Sequence, residues 1–209
     1  MEVQEKILEK AIELFKRYGI RSVTMDDLAN HCAVSKKTLY QHFNDKDTLV
    51  ETMIVHMIDH AECRCQQDKQ KAQNAVHEIF LSMDMLTQMF EGVNAALMFD
   101  LRKYHPQAFK RVDTHKREFL TEIVRGNLER GIQEGLFRPE INVDIITQLH
   151  MVTISIAFFE QMMFTSAKYS VLEVNLEIMT HYLYGLVTPK GAKLIERYKL
   201  QRQQKPTTI

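Results

Sequence analysis

Tryptophan is absent from this chain, and glycine and proline are scarce, with seven and four in 209 residues. Little is left to break helices, and no strand pattern persists anywhere. With hydrophobic residues at 45 %, that composition favours an all-helical protein with a sizeable core. Net charge is also missing: 27 Lys and Arg balance 27 Asp and Glu. A global field for holding nucleic acid is excluded, so any such affinity must come from a local patch. Three cysteines, an odd number, do not form a disulfide framework. Met1 is followed directly by a charged helical segment, with no apolar signal stretch. The longest apolar run, Met151 to Phe164, is interrupted by Glu160 and Gln161 and is too short to span a bilayer. A reducing cytoplasm is the expected location.

What is there is organised around Thr24 to Asp47. A short helix is predicted from Met25 to about His31, behind a Thr24 cap and with Asp26 and Asp27 in its opening turn. Cys32, Ala33 and Val34 make a tight turn, and Ser35 is placed to cap a second short helix. That helix turns Val34, Leu39 and Phe43 inward, and its other face carries Ser35, Lys36, Lys37, Thr38, Tyr40, Gln41 and His42. Short helix, tight turn and a second helix with a basic, hydroxyl-bearing face make the helix-turn-helix pattern of a DNA-reading unit. Lys36, Lys37, Thr38 and Gln41 suit base edges in the major groove, because Lys donates to guanine and Gln bonds adenine at two points.

A helix from about Glu2 to Tyr18 precedes the unit, with Val3, Ile7, Leu8, Ala11, Leu14 and Phe15 as its stripe and Gly19 as its stop. A longer one follows from behind Asp45 to about Lys71, apolar through Ala61 and polar beyond. Further helices are expected over about 74–90, 93–104, 106–134, 143–164 and 171–187, with a short extra one near 191–204. The domain boundary falls in the fourth helix, which gives residues 1–47 to DNA binding and 48–209 to a second domain. A continuous helix between two domains transmits movement where a Gly/Ser coil would not. Residues 151–159 and 182–187 are apolar nearly all round, so they need a second layer or a second subunit to cover them.

The segment 7–50 resembles the amino-terminal domain of the TetR family of bacterial transcriptional regulators. Ile7, Leu8, Ala11, Leu14, Phe15, Gly19, Thr24, Met25, Asp27, Leu28 and Ala29 match its pattern, as does the run Leu39-Tyr40-x-His42-Phe43-x-x-Lys46. One departure is Ala33, where the family usually has Gly. In a left-handed conformation an Ala there costs roughly 1 kcal/mol relative to Gly. The resemblance implies an all-α fold: a three-helix helix-turn-helix domain followed by a carboxyl-terminal helical bundle for effector binding and dimerisation. It implies phosphate contacts from Thr24, Tyr40, His42 and Lys46. It also implies a homodimer that binds a near-palindromic duplex operator, paired through Val152, Ile156, Phe159, Met179, Leu183 and Leu186. A cavity for a small apolar or amphipathic effector is implied too, for which Met98, Arg102, Phe119, Ile123, Asn127 and Thr153 are the candidate lining. Effector binding would reposition the reading helices and release the operator, as expected of a repressor.

Other patterns are weaker. His56, His60 and Cys63 share one face of the fourth helix, at spacings that suit zinc or copper. The His77-Glu78 pair opens like a zinc-protease motif but lacks the second His, and no Gly-rich phosphate loop or nucleophile elbow occurs. No catalytic residue, cofactor or membrane partner is expected. The alternatives are a helical ligand-binding or interaction module, and a regulator of the same build with no small effector.

Overall fold

The described part of this computed structural model comprises residues 3–94, 96–159 and 169–204, without the side chains of 156–159, 203 and 204. Helix α1, Val3–Tyr18, buries Ile7, Leu8, Ala11, Leu14 and Phe15 on one face. It stops where Gly19 turns to φ 81° and donates its N–H to the Phe15 carbonyl at 2.9 Å. Helix α2, Met25–Cys32, opens with a capping box: Asp27 N donates to Thr24 Oγ1 at 3.1 Å and Thr24 N to Asp27 Oδ2 at 2.8 Å. Hydrogen bonds from Thr24 hold the Asp27 carboxyl below the usual carboxylate range. Ala33 closes α2 at φ 55°, ψ 43°, a left-handed position filled by an alanine.

Ser35 caps α3, Lys36–His42, accepting the Thr38 amide at 3.0 Å. Leu39 and Phe43 are fully buried beneath it, and Val34 packs half-buried beside them. Asp45 caps the 26-residue α4, Lys46–Lys71, accepting the Thr48 amide at 2.7 Å. Then come α5 (Ala75–Phe90, capped by Asn74), α6 (Ala96–Tyr104) and α7 (Pro106–His115, with Pro at its first turn).

The single helix expected from Pro106 to about Glu134 is instead divided. A π-helical turn, Lys116–Leu120, separates α7 from α8, Thr121–Gln133. Thr121 is the cause visible in the chain: its amide and its hydroxyl both donate to the Lys116 carbonyl, five residues back. Helix α9 covers Val143–Phe159, and the expected stretch from 160 to 164 lies outside the described residues. Helix α10, Val171–Leu186, begins with a Ser170–Glu173 capping box. The last helix, α11 (Pro189–Gln204), has 16 residues, longer than the short one expected.

Two cores result. The first gathers α1–α3 around Phe15, Leu28, Leu39 and Phe43, and it continues without a break into Leu49, Val50 and Met53 of α4 and Leu97 and Leu101 of α6. The second joins α5, α8, α10 and α11 around Ile79, Phe80, Leu128, Phe137, Met179, Leu183, Leu186 and Ile195. Gly131 makes room for the Phe137 ring, since a Cβ there would lie 2.0 Å from a ring carbon. Met179, Leu183 and Leu186 therefore fill the subunit's own interior and are not surface available to a partner. Helix α9 is not covered all round within the chain: Ile145, Leu149 and Val152, at helical spacing, are 63 %, 51 % and 53 % exposed, as a helix awaiting a second subunit would be. Ile156 and Phe159 lie outside the described side chains.

Candidate functional site

The outer face of α3 is held at a fixed angle by contacts at its first turn. Lys36 Nζ lies 2.6 Å from Asp26 Oδ2 on α2, and the carboxylate raises the lysine's pKa. Ser35 and Thr38 hydroxyls are 2.8 Å apart. Lys37, Tyr40, Gln41 and His42 are exposed along the same side, and Thr24 is exposed at the start of α2. Lys37 and Gln41 have no hydrogen-bond or ion-pair partner among the described residues. The surface thus presents unengaged donors and a mixed donor–acceptor amide on a short helix, the chemistry that base edges require.

Lys46 is placed differently from the other eight. Its ammonium donates to the Val23 carbonyl at 2.5 Å and sits 5.7 Å from the centre of the Phe15 ring. Burial pushes its pKa down, opposed by Asp100, Asp27 and Asp47. In this arrangement it ties the start of α4 to the α1–α2 loop while remaining partly exposed.

The head is joined to the bundle by polar contacts as well as by the shared core. Arg21 N donates to Asp100 Oδ2 at 2.8 Å, and Asn94 N donates to the Lys16 carbonyl at 2.7 Å. His105 Nδ1 meets Asp47 Oδ1 at 2.5 Å, and Arg111 pairs with Glu51 at 3.0 Å. These contacts are not predicted from the sequence. A lone acid inside the apolar stretch 96–101 was the available signal for Asp100.

Below the head lies a cavity of about 260 Å³. Successive turns of α4 form one wall through Met53, Ile54, Met57, Ile58, Ala61 and Cys65. Met85, Leu86 and Met89 of α5, Met98 of α6, Ile123 and Asn127 of α8 and Thr153 of α9 form others. Among the six expected lining residues, Met98, Ile123, Asn127 and Thr153 come together here. Arg102 and Phe119 do not. Arg102 is exposed on the side of α6 opposite Leu97 and Leu101. Phe119 stacks on His115 at 5.2 Å, because the π turn shifts the phase by a residue and gives the wall to Leu120.

The sequence reading missed seven polar members of the lining: Glu78, Ser82, His115, Lys116, His150, Asn175 and Tyr182. His115 pairs with Glu62 at 2.9 Å, and Lys116 donates to Ser155 Oγ at 2.8 Å and pairs with Asp113 at 3.3 Å. The His150 and Tyr182 rings stack at 4.1 Å. Burial pushes the His150 imidazole down to about 4 and the Tyr182 phenol upward. Burial likewise pushes the Cys65 thiol up to about 11, which leaves it a poor nucleophile.

The metal candidate does not assemble. His56, His60 and Cys63 are each exposed, and Gln67 Nε2 lies 3.3 Å from Cys63 Sγ. No group of three or more metal-type side chains gathers among the described residues. No helix among them is long and apolar enough to cross a membrane.

A helix-turn-helix head on a helical body, with an apolar cavity against the connecting helix, defines a DNA-binding transcriptional regulator. Residues 7–53 match the family profile described as "Bacterial regulatory proteins, tetR family". The chain is 29 % identical over 155 residues to the uncharacterized HTH-type transcriptional regulator YvaF of Bacillus subtilis (strain 168), covering 73 % of this chain and 80 % of YvaF. It is 22 % identical over 150 residues to the HTH-type transcriptional repressor KstR2 of Mycolicibacterium smegmatis, covering 68 % and 71 %. A TetR-family transcriptional regulator from Agrobacterium tumefaciens has the same fold, with a TM-score of 0.71 at 17 % identity over 89 % of this chain and 98 % of that one. The profile match over residues 7–53 and these relatives together support a TetR-family transcriptional regulator.

Proposed function

We propose that the protein is a homodimeric repressor that leaves its operator when a small apolar or amphipathic molecule enters the cavity. The observation that carries this reading is the double use of α4. Its first turns pack into the head core, and its following turns, from Met53 to Cys65, are cavity wall. A ligand pressing on that wall acts on the same rigid rod that bears the reading helix. Only a difference in affinity between the two positions of the rod shifts the balance. The division into a reading part, 1–47, and a responding part, 48–209, is then one of task, since the core runs across it.

Thr24, Ser35, Lys36, Lys37, Thr38, Tyr40, Gln41 and His42 are assigned to DNA. Lys37 and Gln41 read bases, and Thr24, Tyr40 and His42 contact phosphates that fix register. Two such heads in a dimer would enter successive major grooves about one helical turn apart. Pairing through the exposed α9 stripe of Ile145, Leu149 and Val152 is supported by its contiguity, because apolar surface at helical spacing is covered in a stable assembly. No enzymatic step is assigned.

Selection of bound duplexes from a random pool tests the reading. A two-fold symmetric site is expected, and Lys37→Ala should change the preferred bases. Selection of no sequence would refute the DNA assignment, and an unchanged preference in the variant would refute the role of Lys37.

A further inference from the structure

The polar groups of the cavity separate into those already committed and those left over. Glu78 is ion-paired to Arg130 at 3.1 Å, Lys116 is held by Asp113 and Ser155, and His115 is held by Glu62. No ionised group in the described lining is left without a counter-charge or polar partner. The uncommitted groups lie on α9 and α10, which pack against each other. His150 is 6 % exposed, and its Nδ1 has no hydrogen-bond partner. The Tyr182 hydroxyl has none among the described residues. Asn175, 5 % exposed, donates its amide to the Val171 carbonyl, and its amide oxygen has no donor among the described residues. Of these, His150 Nδ1 is the fully buried atom left without a partner; such atoms are uncommon in native proteins and cost free energy, so a complementary group is expected to complete it.

We propose that the cavity takes an uncharged, elongated, mainly apolar molecule bearing one hydrogen-bonding oxygen, a hydroxyl or a carbonyl, that docks at the His150–Tyr182–Asn175 end. This rests on the reading of the cavity as the effector site. The remaining walls are mainly Met, Ile, Leu and Val, which suit a flexible hydrocarbon body. A carboxylate or phosphate at the polar end would find no cation there. Recruiting His150 as one at pH 7 would forfeit about a thousandfold, because its buried imidazole holds a proton only below about 4. A cationic head would fare no better, since Glu78 is already neutralised by Arg130.

The test uses the full-length protein and four ten-carbon probes: decan-1-ol, 1-bromodecane, decanoate and decylammonium. Binding is read by calorimetry and by thermal shift. The two uncharged probes are expected to bind about tenfold or more tightly than the two ions. Tyr182→Phe should weaken decan-1-ol about fivefold and leave 1-bromodecane unchanged, a split that general damage to the fold would not produce. If an ion binds as tightly as the alcohol, the cavity reading survives and this proposal falls. If Tyr182→Phe, His150→Phe and Asn175→Leu all leave alcohol binding unchanged, the docking end is wrong. If no probe binds, the effector site itself is refuted and the proposal goes with it.

Discussion

Asp100, 5 % exposed on α6, accepts the backbone N–H of Arg21 in the α1–α2 loop at 2.8 Å. A buried carboxylate of the bundle therefore holds the loop that positions the reading unit. Asp100→Ala leaves that amide without a partner and should cost about 2 kcal/mol of stability in urea unfolding. Asp100→Asn keeps an acceptor and should cost less. Both variants should lower operator affinity if the loop's placement matters for reading, as measured by fluorescence anisotropy.

Ala33 is left-handed at φ 55°, with its N–H donating to the Asn30 carbonyl at 3.1 Å. Glycine adopts this conformation without steric cost, so Ala33→Gly should stabilise the protein by about 1 kcal/mol. Chemical denaturation at neutral pH checks it. A loss of stability would show that the alanine methyl contributes packing that outweighs the backbone term.

His150 gives a pH dependence whose sign is fixed. Its folded pKa is about 4, against 6.5 for a free imidazole. The unfolded chain takes up the proton first as pH falls, so stability is unaffected above 6.5 and lost progressively down to about 4. The share attributable to this residue is about 2 kcal/mol between about pH 7.5 and about pH 5. His150→Phe should flatten the difference between urea midpoints at those two pH values. An undiminished difference would assign the effect to other groups.

Leu149 and Leu183 look alike in sequence and differ in place: Leu149 is 51 % exposed on α9, and Leu183 is 1 % exposed in the second core. Leu149→Glu should leave the monomer folded and shift sedimentation from dimer to monomer. Leu183→Glu buries a charge without a partner and should prevent folding or cost several kcal/mol, on the order of 4. A dimeric Leu149→Glu protein would move the interface elsewhere.

Local rules explain what was legible in the sequence. Thr24, Ser35, Asp45 and Asn74 were readable as helix starts because a short polar side chain before an apolar stripe has one common use. The reading face of α3 followed from the same spacing. Burial between helices was not readable. Leu183 and Val152 both sit on helices with excess apolar surface, and only packing decides which of them faces water. The Lys46 bond to Val23 was not readable either, because a resemblance carries the residue type without its local partner. Phe119 and Leu120 exchanged roles because one widened turn shifts the helical phase, and periodicity counted at 3.6 residues per turn passes over such a shift.

That widened turn, Lys116–Leu120, sets the orientation of everything carried by α8. Removing one residue from it would restore an ordinary helix and rotate the downstream segment by about 100° relative to α7. Ile123 and Asn127 would then swing off the hollow, and Gly131 would no longer accommodate the Phe137 ring. Deleting Arg117 at this joint would thus damage ligand recognition and the second core together, although its side chain belongs to neither.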